Sequence, residues 1–220
     1  MKKLSTLWEK LVHCGLNCEW ITNNPKKGII PRCLHIKKRK GKRKCIVVGL
    51  NPGKCNLKER EFYLENGIHR NSVQKFFEQK LSWKTPYKSP YFKRAREMIS
   101  KLWYDGTILW TDLVKCECSG PNGSILIQTL RVCVNKFLRK EIEIFKSNVI
   151  FTLGNKAFDF CSLSFPNHFV VWLPHSSWSY GDFLRLMKNV NKSSKAYMKI
   201  LAKPKDKNGN YKALKLSEIR

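Results

Sequence analysis

Cys45-Ile46-Val47-Val48-Gly49-Leu50-Asn51-Pro52-Gly53 is an apolar, β-branched run that stops abruptly in a Gly-x-Asn-Pro-Gly turn. A run without alternation reads as a strand buried on both faces, delivering one polar side chain, Asn51, to the rim of a sheet. Pro52 fixes the backbone at that point, while Gly49 and Gly53 let a ligand approach the main chain. Taken alone, the motif is equally an ordinary strand-ending turn. Its surroundings decide between the two.

Three further strands follow: Thr107–Val114, Val149–Leu153 and Phe169–Leu173. Between and around them lie helical patterns at Leu4–His13 and Ser72–Leu81. A third places Phe92, Ala95, Met98, Ile99 and Leu102 on one face, and a long amphipathic one runs from Ile125 or Gln128 to Phe145. Another helix starts at Gly154-Asn155-Lys156-Ala157. Strands alternating with helices predict an α/β protein, a three-layer α/β/α sandwich around a mostly parallel four-stranded sheet. In such sheets ligands bind beyond the carboxyl ends of the strands, where Asn51, Asp112 and His175 all fall. The expected domain covers residues 1–190. A lysine-rich tail, 191–220, follows, with Lys205–Asn210 as a turn or flexible arm.

Lys and Arg outnumber Asp and Glu by 43 to 16, a formal net charge of +27. With 42% hydrophobic and 12% aromatic residues the chain is not a disordered polycation, so nucleic acid is the default partner. No long apolar span and no signal peptide is seen, which leaves no membrane partner and a cytoplasmic, monomeric protein as the expectation, nucleoid-associated if the source is prokaryotic. Lys37, Lys38, Arg39, Lys40, Lys42, Arg43 and Lys44 form a run that reads either as a solvated hairpin or as a phosphate contact. The second is favoured because the run leads into the Asn51 strand. The nine cysteines fit reduced thiols or metal ligands better than a disulfide framework. Cys14 and Cys18, a C-x3-C pair in a Gly/Asn turn, read as metal ligands or as two unrelated thiols.

With these pieces in register the chain resembles the uracil-DNA glycosylase superfamily, and most of all its iron–sulfur-containing branch, family four, from roughly Cys14 to Ser177. Gly49-Leu50-Asn51-Pro52-Gly53 matches the first active-site motif; its asparagine is like that of the mismatch-specific and single-strand-selective branches, where iron–sulfur members have Gly-Glu-Ala-Pro-Gly. Thr111-Asp112-Leu113-Val114-Lys115-Cys116 is similar to Thr-Asn-Val-Val-Lys-Cys, and Pro90-Tyr91-Phe92-Lys93-Arg94-Ala95 to Pro-Phe-Val-Gly-Arg-Ala. Leu153-Gly154 with Ala157 fits Leu-Gly-x-x-Ala, and His175-Ser176-Ser177 stands where the family has His-Pro-Ser.

The resemblance implies a base pocket of Gly49, Leu50, Asp112 and a stacking Tyr91, with Ser176 and Ser177 on the DNA beside the basic run. It also implies a [4Fe–4S] cluster on Cys14, Cys18, Cys116 and Cys133, with zinc on the same sulfurs as the competitor. The departure is C-x3-C where C-x2-C is usual. Cys33, Cys45, Cys55, Cys118 and Cys161 are left as small apolar residues or surface thiols. The implied reaction is hydrolysis of the glycosidic bond of a damaged base flipped out of single- or double-stranded DNA. Asn51 would orient the water, and His175 would stabilise the leaving base.

Asp112 stands where an asparagine would both accept from uracil N3–H and donate to O4, which an ionised aspartate cannot do. Uracil, hypoxanthine and xanthine therefore all stay open as the excised base. So do a DNA-binding protein without catalysis and a zinc-binding interaction module.

Overall fold

The structure is a computed structural model that describes residues 2–32, 35–81, 90–101, 104–173, 175, 202–205 and 211–213. In chain order the elements are α1 (Lys2–Val12), β1 (Ile21–Thr22), β2 (His35–Lys37), β3 (Gly41–Gly49), α2 (Leu57–Asn66), α3 (Arg70–Leu81) and α4 (Pro90–Lys101). Then come β4 (Gly106–Asp112), β5 (Glu117–Cys118), α5 (Ile127–Cys133), α6 (Arg139–Phe145), β6 (Val149–Leu153), α7 (Asn155–Ser164) and β7 (Phe169–Leu173). Two short strands end the described chain, β8 (Ala202–Lys205) and β9 (Tyr211–Ala213).

Five strands form the main sheet in the order β2-β4-β3-β6-β7. The sequence alone counts four. The fifth, β2, is a three-residue edge strand that ends at the start of the basic run, too short to show a period of its own. The β3–β6 and β6–β7 pairs are parallel, with Val47 opposite Phe151 and Phe151 opposite Val171. The apolar run behaves as its composition demands: Cys45, Ile46, Val47 and Val48 are all buried. Mixed helices with a mostly parallel five-stranded sheet make this an α/β sandwich.

The chain divides into two compact, interleaved units. One comprises Met1–Lys37, Gly49–Tyr87 and Leu109–Lys146. Here α1 turns Leu4, Trp8, Leu11 and Val12 inward at helical spacing and packs on α6 and α3. Helix α2 begins at Asn56, whose side chain accepts the Glu59 N–H at 2.9 Å, and an aromatic cluster of Phe62, Tyr63, Phe76 and Phe77 joins it to α3. The predicted long helix is a continuous helical run, but Val134–Leu138 between α5 and α6 winds as a π-helix, directly after Cys133. The small β1–β5 pair lies in this unit too.

The other unit comprises Lys38–Val48, Lys88–Ile108 and Ser147–Arg220. It contains the parallel β3–β6–β7 ladder, with Tyr104 edge-on to Phe151 at 5.0 Å between ring centres. Gly154, at φ +89°, makes the turn into α7, and its N–H donates to the Leu173 carbonyl at 2.9 Å. In the tail, β8 and β9 form an antiparallel pair, and β8 runs alongside β7 and α7. Of the expected turn Lys205–Asn210, Lys205 ends β8 and residues 206–210 lie outside the described residues.

Candidate active site

In the first unit the loops after β3 and β4 are stitched together. The Leu113 N–H donates to the Gly49 carbonyl at 2.9 Å and the Val114 N–H to the Leu50 carbonyl at 3.0 Å. Asn51 therefore leaves the end of one strand next to where Asp112 leaves the other. Asn51 and Leu50 are partly exposed, whereas Asp112 is buried at 5% exposure. Gly53 holds φ at +70°, and a Cβ there would meet nothing within 4 Å. Glycine is thus required at this turn by backbone geometry, not by crowding.

Beneath this loop lies a set of buried charges that sequence reasoning missed. Arg32, 1% exposed, donates from Nη2 to the Gly53 carbonyl at 2.6 Å. Its Nε lies 3.0 Å from Glu59 Oε1, and Nη1 lies 4.0 Å from Glu117 Oε2. Glu117 Oε2 also accepts the Cys55 N–H at 2.8 Å, and Glu59 Oε1 accepts the Tyr63 hydroxyl at 3.0 Å. The Arg32 N–H reaches the Lys115 carbonyl at 2.7 Å. A second buried network joins Lys115 Nζ to Glu141 Oε2 at 2.7 Å and to the Thr111 hydroxyl; Glu141 also accepts from Thr111 at 2.7 Å and from Trp8 Nε1 at 3.1 Å.

The four predicted cysteine ligands belong to this same unit, and their thiols sense one another. Burial raises the Cys116 thiol far above its ordinary value, and the charges of Cys133, Cys14 and Cys18 add to the rise. Burial lifts Cys133 to about 11, although Lys115 pulls it down both through its charge and through its N–H, which donates to Cys133 Sγ at 3.4 Å. Cys18 is raised by burial and then by Cys14. Asn23 fixes the turn by donating to the Cys14 carbonyl at 2.7 Å. Among the described residues no three His, Cys, Asp or Glu side chains are gathered to hold a metal ion. The donor type still suits a cationic group: Cys14, Cys18 and Cys133 each raise the Cys116 thiol, and thiols that raise one another resist joint ionisation unless positive charge enters among them. Of the remaining cysteines, Cys45, Cys55, Cys118 and Cys161 are buried, and Cys33 lies outside the described residues.

Tyr91, His175 and most of the basic run belong to the other unit. Tyr91 is the second residue of α4. His175, two residues beyond β7, packs its Cβ over the Gly154 turn, where a Cβ on the glycine would approach it to 3.6 Å. Burial lowers its pKa, so the imidazole is neutral at pH 7. Ser176 and Ser177 lie outside the described residues.

In the basic run, Lys38, Lys40, Lys42 and Lys44 are exposed, and Lys37, Arg39 and Arg43 partly so. Arg39 donates to the Tyr104 carbonyl at 3.1 Å and to the Ser100 hydroxyl at 3.4 Å, so it serves the fold as well as the surface. The run fills the beginning of β3 and the motif follows its end. Lys42 and Val48 stand about 20 Å apart along the strand at ~3.3 Å per residue.

The Uracil DNA glycosylase superfamily description matches residues 39–202. No curated relative matches the chain. That match spans both stitched loops, α4 and His175, the segments on which the motifs were found. The chain belongs to the uracil DNA glycosylase superfamily.

Proposed function

We infer that the protein is a DNA glycosylase of base repair, a hydrolase acting on DNA, and membership of this superfamily supports that reading. We propose that the protein is a monofunctional glycosylase that removes a deaminated base, uracil first among them, from DNA. The observation that carries this reading is the stitched pair of strand ends, which sets a partly exposed Asn51 beside a buried Asp112.

Flipping a base costs a few kcal/mol, least for mispaired bases, and the cationic surface offsets part of that cost by neutralising phosphates. Tyr91 stacks on the extruded base. As the glycosidic bond breaks, positive charge grows on the sugar and negative charge on the base. Asn51 accepts from and orients a water, but it cannot take a proton at neutral pH. An oxocarbenium-like sugar tolerates so weak a nucleophile. His175, neutral at pH 7, donates an N–H to a base carbonyl and stabilises the departing anion.

Cys14, Cys18, Cys116 and Cys133 would hold a [4Fe–4S] cluster, which would fasten the turn after α1 to Cys116 and to the end of α5; hydrolysis transfers no electrons. The purified protein is then brown, with broad visible absorbance. Cys116→Ser loses most of the iron that elemental analysis finds in wild type. Stoichiometric zinc in a colourless protein would instead favour zinc on the same thiolates.

The test of function is single-turnover base release from oligonucleotides carrying uracil, hypoxanthine or xanthine, single- and double-stranded. Release of one of these bases by wild type, with none from undamaged DNA, is the expected result. Tight DNA binding with no release from any substrate would make this a binding protein on a glycosylase fold. Asp112→Asn restores the donor and acceptor pair that reads uracil, so uracil release rises about 10-fold, the size of one well-placed hydrogen bond. An unchanged or lower rate would count against direct base reading by this residue.

A further inference from the structure

The loop that carries Asn51 has few apolar anchors: Asn51 and Pro52 are partly exposed, Gly53 and Lys54 exposed, and only Cys55 of these five is buried. Something else must fix its shape. The buried group that touches it is the Arg32 guanidinium, through the Gly53 carbonyl at 2.6 Å. Gly53 lies two residues beyond Asn51, and its backbone stands at φ +70°, which only glycine adopts cheaply. Glu59 and Glu117 hold the guanidinium from two other sides, and Glu117 also receives the Cys55 N–H at 2.8 Å. One carboxylate–guanidinium assembly therefore grips the loop at both Gly53 and Cys55.

The geometry points to Arg32 as a positioning residue, fixed by Glu59 and Glu117, that sets the orientation of Asn51 for the base release proposed above. Arg32 does not approach the reacting atoms; it acts through the backbone. Its planar fork addresses Glu59 and the Gly53 carbonyl at once, which a lysine ammonium on a flexible stem cannot reproduce. Glu117 directly follows Cys116, and the Arg32 N–H bonds the Lys115 carbonyl at 2.7 Å. The same assembly thus ties the cysteine-bearing segment to the Asn51 loop.

Arg32→Lys keeps the buried positive charge and tests the fork alone. Misplacement of a catalytic group by about 1 Å costs on the order of 100-fold. The expected result is a fall of 10-fold or more in the single-turnover release rate at saturating enzyme. The concentration giving half-saturation with DNA should change less than threefold, because no phosphate contact is touched. Hydrogen exchange of the peptide spanning residues 49–56 should quicken by 10-fold or more, with the amides of Ile150–Leu153 unchanged.

An unchanged release rate in Arg32→Lys, with wild type active, overturns the proposal and leaves the glycosylase reading standing. Wild type inactive on every substrate defeats that reading instead. The exchange measurement then decides alone, and unaltered exchange at 49–56 overturns the positioning role. Should Arg32→Lys fail to fold, Glu117→Gln serves: it keeps an acceptor for Cys55 but removes one charge holding Arg32. Normal exchange in that variant overturns the proposal in the same way.

Discussion

Lys115→Met lowers the unfolding free energy by about 3–5 kcal/mol, the cost of stripping one partner from a buried ion pair. Lys115 and Glu141 are both completely buried, 2.7 Å apart. Without the ammonium, Glu141 keeps, among the described residues, only the Trp8 and Thr111 donors against a full negative charge. Domains of this kind have about 5–15 kcal/mol in all, so the variant is marginal. With a urea m-value of about 2–3 kcal/mol/M the midpoint falls by about 1–2 M. Lys115→Met combined with Glu141→Gln removes both charges while leaving an acceptor for the Trp8 indole, and it recovers more than half of the loss. A single-variant loss below about 1 kcal/mol, the range of exposed pairs, would show that water screens the pair.

The helix that carries Glu141 was legible in the sequence; the network was not. Phe137, Leu138, Glu141, Ile142 and Phe145 recur on one helical face, and all five are buried. A glutamate at a core position of an amphipathic helix needs a buried cation or donors, but nothing in the sequence singles out Lys115 among the 43 lysines and arginines. The β3 run and its Asn51 turn were legible for a stronger reason: consecutive β-branched residues followed by Gly and Pro leave the backbone little choice.

Helix α2 was not legible, because its inward face is built from Glu59 and Tyr63. A helix that buries a carboxylate presents no apolar stripe, and Leu57–Asn66 reads as a polar stretch. Glu59 is accepted in the interior because Arg32 and the Tyr63 hydroxyl are there to meet it. The partnership with Arg32 joins positions far apart in the chain, so no window of sequence contains it. Arg32 itself sits in a segment whose visible character is the lysine run that follows it. The lysine run was legible as a run of exposed cations, but its distance from the motif was not, because a strand separates its two ends by its whole length. The exposed lysines sit at one end of β3, and the polar motif leaves the other.

Asn51→Ala lowers single-turnover base release by about 10²–10⁴-fold, the range for losing a positioned group that handles the attacking water. Asn51 follows Leu50, whose carbonyl is held by Val114, and precedes Pro52 and the clamped Gly53. The backbone on either side is fixed, so alanine removes the side-chain oxygen without letting the loop search for a substitute. Fold stability should change little, because Asn51 is partly exposed and outside both buried networks. Binding to DNA should also persist, since the net charge of +27 that draws phosphates is untouched. Asn51→Asp keeps an oxygen in place and supplies a true base, so it retains release within about 10-fold of wild type. Loss in alanine with retention in aspartate assigns Asn51 to the water. Equal release by wild type and Asn51→Ala would place the water elsewhere, with the buried Asp112 carboxylate on the neighbouring strand end as its next candidate.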